Sequence, residues 1–313
     1  MAFNVHEEVR RNRIKSQIVI FGFFAFIGLI GGMAGVVFGG YTQGELFNIE
    51  SIIFSTVMAL LIAGIYVAIF LSSGDKMILK ATGAVEADQK TYPYLYHTTE
   101  ALSIAAGLSK PPKCYVIDDP SLNAYATGFK PERSYVVVTK GLLKKLNRQE
   151  IEGVLAHEIA HIKNQDIKIM LIAAGLVGAT VLLADILFRM FLFSSSGGGK
   201  KDFRIMIFVF VFWLVLIILS PIVAQMIKMA ISRRREYLAD ASGAKYTRYP
   251  EGLASALEKI KNDSNQLKTA NKATAHLFIS NPFRKKMGIS SLFATHPPIE
   301  DRIKRLRGNK SSV

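Results

Sequence analysis

The chain has 313 residues, and 39 Lys and Arg against 24 Asp and Glu leave a net charge of +15. Half of the residues are hydrophobic and only 20% are charged, against about a quarter charged in soluble domains, which excludes intrinsic disorder and a plain soluble globule. The single cysteine, Cys114, excludes an internal disulfide framework.

The apolar residues are concentrated. A tail, 1–15, carries Arg10, Arg11, Arg13 and Lys15, and no charge follows from Ser16 to Thr42. A second uncharged stretch runs from Ser51 to Gly74. Each exceeds the ~20 residues that cross a bilayer as helix, and the first is too long for the core of a signal peptide. Residues 16–74 therefore read as a retained transmembrane hairpin. A third stretch, Ile169 to Phe193, is interrupted by Asp185 and Arg189, which can pair one helical turn apart. A fourth, Ile205 to Ile227, contains Pro221. Residues 169–227 read as two further spans or as a re-entrant hairpin. Basic residues precede the first span and, as Lys228, Arg233, Arg234 and Arg235, follow the fourth, while Gln43 to Glu50 has none. That bias places the N-terminus, 75–168 and 228–313 in the cytoplasm of a multi-pass cell-membrane protein, with the lipid bilayer as partner. Lys200, Lys201 and Arg204 run against this topology.

Within 75–168, Ala87 to Leu108 has helical spacing and Pro111-Pro112 stops it. Lys113 to Ile117, Ala124 to Thr127 and Ser134 to Thr139 read as short strands. Asn147 followed by Glu150 marks a helix start, with Ile151, Val154, Leu155 and Ile159 on its apolar side. After Ile227 the chain reads as mostly helical, broken near Asn262 to Asn265 and around Asn281-Pro282. The expected fold is α+β, mainly α, with a small β-sheet. The run Arg302, Lys304, Arg305, Arg307 and Lys310 reads as a solvated basic tail that touches anionic lipid at ~1 kcal/mol per charge. No aromatics interleave with it and no nucleic-acid motif occurs, so nucleic acid is not an expected partner.

The chemistry lies in His157-Glu158-Ile159-Ala160-His161. Histidines at i and i+4 project from one helix face and can hold one Zn²⁺ at ~2.0–2.1 Å. Glu158, about 100° round the helix, reaches a metal-bound water as general base. A catalytic zinc needs a third protein ligand and an open position. Glu236 and Asp240 are again four apart; Glu236 is assigned as third ligand and Asp240 as the carboxylate holding a ligand histidine by its other nitrogen. The competing role for Glu236 is a surface ion pair with Arg233 or Arg235. Two apolar stretches separate Glu236 from the histidines, so an even number of crossings returns them to one side of the membrane.

These residues, His157 to Asp166 with Glu236-Tyr237-Leu238-Ala239-Asp240 downstream, resemble the HtpX family of integral-membrane zinc metalloproteases, in one superfamily with the CAAX prenyl endopeptidases. Asn123-Ala124-Tyr125-Ala126-Thr127-Gly128 and Thr295-His296-Pro297-Pro298 with Arg302 add to the likeness, which covers nearly the whole chain. The resemblance implies a cytoplasmic zincin-like domain with one zinc per chain on His157, His161 and Glu236. It implies Glu158 as acid/base, polypeptide substrates that include membrane proteins, and a role in their quality control and the stress response. His296 is the candidate oxyanion donor, with Arg302 supporting it or orienting Glu236; a structural histidine beside a Pro-Pro turn is the alternative. Asn123, Ala124, Tyr125 and Ala126 are expected as an edge strand that pairs with extended substrate, or as an ordinary strand. Two other functions stay open: a prenyl-protein-type endopeptidase, and a silent scaffold clamped by structural zinc.

Overall fold

The computed structural model describes residues 5–42, 48–168, 170–172, 174–176, 179, 233–269, 274–280, 282 and 297–308. The third and fourth apolar stretches therefore lie almost wholly outside the described residues. Two long helices come first, α1 (Val5–Thr42) and α2 (Ile49–Ala81). They pack as a hairpin through small residues. A Cβ on Gly31 would stand 2.8 Å from Thr56 Cα, and one on Gly35 would stand 2.5 Å from Ile52 Cα, so glycine lets the backbones close up. Among the described residues one helix, α2, is long and apolar enough to cross a membrane; the apolar part of α1 is the shorter Ile20–Val36. Ile53, Phe54, Leu61, Ile62, Ile65 and Ile69 of α2 are exposed.

The sheet has four strands, β1 (Ala84–Glu86), β2 (Lys113–Ile117), β3 (Ala124–Lys130) and β4 (Arg133–Thr139), in the order β1-β2-β4-β3. β2 and β4 are parallel and the other two pairs antiparallel. The alternation of side chains splits two cores. Cys114, Val116, Ala124, Ala126, Val136 and Val138 face one way, toward α3 (Pro93–Ala105), α5 (Arg148–Lys163) and α7 (Pro250–Asn262). Ile117, Tyr125, Tyr135 and Val137 face the other way, onto Phe70, Ile78 and Leu79 of α2 and onto Met170, Leu171 and Ala174. The sheet thus stands between α3, α5 and α7 on one face and the end of the apolar hairpin on the other. A short helix, α4 (Lys140–Lys145), leads from β4 into α5.

α5 starts as its sequence dictates. Asn147 Oδ1 accepts from Glu150 N–H at 2.9 Å, and Glu150 Oε2 accepts from Asn147 N–H at 2.8 Å, closing a capping box. Ile151, Val154, Leu155 and Ile159 are all buried. α3 starts later than expected, at Pro93. Asp88 caps a turn by accepting from Thr91 N–H at 2.9 Å, and proline with its fixed φ opens the helix. The last third of the chain has one break the sequence did not announce. It falls at Arg248 (φ 53°) and Tyr249, between α6 (Arg233–Thr247) and α7.

The C-terminal basic run is not a solvated tail. Residues Ile299–Leu306 form a helix, α8, with Arg302, Ile303 and Leu306 buried. Arg307 Nη2 meets Glu251 at 2.7 Å and Glu258 at 2.9 Å on α7, and Arg305 stacks 3.9 Å over the ring of Tyr237. Asp240 on α6 and Glu251 and Glu258 on α7 thus pair with Arg302 and Arg307, while Lys304 and Arg305 stay exposed as expected.

Candidate metal centre

α5 and α6 cross closely because Gly243 faces α5; a Cβ there would stand 3.0 Å from His157 N. On α5, His157 and His161 lie one turn apart, with Nε2 atoms 3.1 Å from each other and rings nearly perpendicular at 85°. On α6, Glu236 Oε1 is 3.5 Å from His161 Nε2, and Oε2 is 3.9 Å from His157 Nε2. All three residues are buried, and one donor atom from each lies within 4.8 Å of the others. Tetrahedral zinc bonds of ~2.0–2.2 Å require donors about 3.3–3.5 Å apart, so the set fits one cation with little adjustment. Glu236 is not a surface carboxylate; it is 2% exposed.

The far ring nitrogens are held. His157 Nδ1 is 2.9 Å from Asp240 Oδ1, and His161 Nδ1 is 3.2 Å from Asp166 Oδ2. A carboxylate accepting from Nδ1–H leaves each Nε2 lone pair facing the donor cluster. Asp166 was quoted in the sequence motif without a role. It reaches back because Gln165 takes a left-handed φ of 55°, which turns the chain at the end of α5. Arg235 Nε stands 3.9 Å from its other oxygen, a second contact that spacing did not reveal. Arg302, fully buried, donates to Asp240 twice, from Nε at 2.9 Å and Nη2 at 2.7 Å, while Nη1 lies 3.7 Å from Glu236 Oε2. Its main partner is therefore Asp240 and its lesser one Glu236.

Glu158 is 2% exposed and accepts a hydrogen bond from Ala126 N–H of β3. Burial pushes it up to about 7, against the pull of His161 and Arg302. Burial also pulls His157 down to about 4, with Arg302 adding to the effect. His161 is drawn down by burial, but Asp166, Glu236 and Glu158 outweigh that and raise it to about 9. Asp240 is pushed up by burial yet lowered to about 2 by Arg302 and His157.

Among the described residues β3 lies at the edge of the sheet, and Asn123, Ala124, Tyr125 and Ala126 divide. Ala126 reaches Glu158. Ala124 O accepts from Ile279 N–H at 2.8 Å, and the Asn123 side chain donates to Ser280 O at 3.1 Å, so the chain itself covers that end of the edge. Tyr125 points away, bonded to Thr82, the C-cap of α2, at 2.6 Å and packed on Phe278. His296 lies outside the described residues. Of the other histidines, His97 is exposed and His276 Nε2 meets Met170 O at 2.9 Å.

Two histidines and a glutamate around one point could hold a metal ion, with a second buried glutamate next to the first histidine in the chain, a set that suits a metalloendopeptidase. The profile of peptidase family M48 matches residues 89–310, and the chain belongs to that family. It is 45% identical over 97% of its length, and 95% of the relative's, to a protein named Protease HtpX homolog from Dictyoglomus thermophilum. A protein of the same name from Listeria monocytogenes is 37% identical over 96% of this chain and 98% of its own. Among solved structures, that of S. mikatae Ste24p aligns over 82% of this chain and 66% of its own, at 22% identity and a TM-score of 0.41.

Proposed function

We propose that the chain is a membrane-anchored, zinc-dependent endopeptidase whose active site faces the cytoplasm and which removes misfolded or damaged membrane proteins. The convergence of His157, His161 and Glu236, with Glu158 buried beside them, carries this reading. The apolar helix α2, continuous with the underside of the sheet, supports the anchoring, and the basic bias of the sequence supports the orientation.

His157, His161 and Glu236 would hold the zinc, which would supply Lewis-acid chemistry to water and to the scissile carbonyl. Glu158 takes a proton from the attacking water on its carboxylate and returns it to the leaving amine. In the metal-free chain burial raises its proton affinity, the direction a proton acceptor needs. Asp240 and Asp166 keep the imidazoles turned so that Nε2 faces inward, and Arg302 fixes Asp240. Ala126 on the β3 edge borders the place where an extended substrate lies; His296 stays the candidate oxyanion donor.

The test is Glu158→Ala in the full-length protein, assayed on an unfolded model protein, with metal content measured in parallel. Proteolysis is expected to vanish while one zinc per chain stays bound. Full activity in that variant would remove Glu158 from the mechanism. Four protein ligands on the zinc would favour the structural clamp.

A further inference from the structure

The two strands that border the catalytic base also touch the end of the apolar hairpin, so their length sets the distance between the two. Glu158 is tied to β3 at Ala126, and Ala126 pairs with Val136 of β4. Three residues further along β3, Phe129 meets Phe70 of α2 edge-on, with ring centroids 5.9 Å apart. Phe70 lies four positions inside the uncharged run that ends at Gly74. Three residues along β4 in the same direction, Arg133 donates to Asp75 from Nε at 2.8 Å and from Nη2 at 2.6 Å. Asp75 is the first charge after that run and is fully buried.

A strand rises ~3.3 Å per residue, so each path covers about 10 Å, and the reach of the side chains places the base within roughly 15 Å of the last uncharged residues of α2. The chain beyond α5 gives the same distance. His161 and Met170 are nine residues apart, about 13 Å at the helical rise that most of this segment keeps. Met170 and Ala174 lie in one apolar cluster with Phe70, and Tyr66 of α2 donates to Gly175 O at 2.8 Å. The reacting centre is therefore held just above the level at which the chain leaves the apolar hairpin.

We propose that the enzyme cuts membrane-anchored polypeptides within the first few residues outside their own span, so that its preferred substrate is the unfolded root of a span. This preference rests on the reading of the chain as a membrane-anchored endopeptidase. An extended substrate covers about 3.3–3.6 Å per residue and needs ~3–5 residues to climb 10–15 Å. A flexible one has an end-to-end distance of about 5–6 Å × √n, which matches 15 Å near ~7 residues. Beyond that match the local concentration falls roughly as the −3/2 power of length, so a bond ~40 residues from the span meets the site about ten-fold less often.

The full-length protein, reconstituted in vesicles of phosphatidylethanolamine and phosphatidylglycerol with an anchored substrate, tests this. The substrate is one apolar span of ~20 residues joined to an unfolded tail of about 50, built from repeats of one cleavable segment, with the span before the tail in one form and after it in another. Mass spectrometry of the fragments reads the cut positions. Cuts are expected to cluster ~3–10 residues from the span, about ten-fold above those ~40 residues away, in at least one form. A uniform spread in both forms, or no cutting of either, overturns the proposal when the same tail without a span is cut. Clustering at the same repeats of the span-less tail overturns it as well. Failure to cut the span-less tail refutes the endopeptidase reading itself, and a chain stripped from membranes by alkaline carbonate refutes its anchoring.

Discussion

Gly243→Ala tests whether the approach of α6 to α5 sets the metal geometry. The new Cβ would stand 3.0 Å from His157 N, 3.2 Å from Ala156 C and 3.3 Å from His157 Cα. Carbon contacts settle at ~3.5–4.0 Å, and these neighbours are backbone atoms in mid-helix that cannot rotate away. α6 must therefore retreat by roughly 0.5 Å. Glu236 and Asp240 precede residue 243 by seven and three positions, on the same face, so they move with it. The bond of 2.9 Å from Asp240 to His157 stretches beyond useful length, and Glu236 Oε2, already 3.9 Å from His157 Nε2, recedes further. Overpacking costs about 1–3 kcal/mol and the better helix propensity of alanine returns about 0.5–1, so a net loss of about 0–2.5 kcal/mol is expected. Activity falls about 10–100-fold, the usual result of disturbing residues that orient metal ligands. Zinc competition with a chelator and proteolysis of an unfolded model protein measure it, with exposed Lys245→Ala on the same helix as control. Unchanged zinc affinity and rate in Gly243→Ala would refute the reasoning.

Other outcomes follow from the same contacts. Asp240→Asn keeps the volume but loses the charge that holds His157 and Arg302; zinc affinity should drop about 10–100-fold, read by chelator competition. In chelated protein, Glu158 carries a raised folded-state value of about 7 against 4.5, so stability falls as pH rises between these values. Glu158→Gln removes that cost and should exceed the wild type by roughly 3 kcal/mol above pH 8 and by nothing below pH 4, in thermal melts with chelator. Equal melting at both pH values would dismiss the desolvated carboxylate. Glu150→Ala opens the capping box and strands the Ser255 and Lys259 contacts, at 2.8 and 2.7 Å; about 1–3 kcal/mol of stability should go while zinc stays bound.

Local pattern carried much of the centre. The i, i+4 histidines, the capping box that starts their helix and the pairing of Glu236 with Asp240 are all short-range, so spacing alone brought them onto faces. Strand alternation likewise predicted three of the four strands. The residues that spacing could not place depend on distant partners or on one backbone angle. Spacing read Arg302 as part of a solvated run, and its role beside His296 or Glu236 came only with the family likeness, because Asp240, its main partner, lies 62 positions away. Asp166 had no role because only the left-handed Gln165 turns it back to His161.

α6 shows why hydrophobic periodicity fails at such a site. Its buried positions are Arg235, Glu236, Ala239, Asp240 and Gly243, at helical spacing, yet only Ala239 is apolar. A search for an apolar stripe finds no inward face there. The inward face exists because each polar group on it has an opposite: Glu236 the histidine nitrogens, Asp240 the Arg302 fork, Arg235 the Asp166 carboxylate. Burying these charges singly would cost several kcal/mol each, so the helix can dock only when α5 and α8 supply the partners together. Docking of α6 and assembly of the metal centre are then one event, and a substitution at Asp166, Asp240 or Arg302 should loosen the helix and the cation site in step.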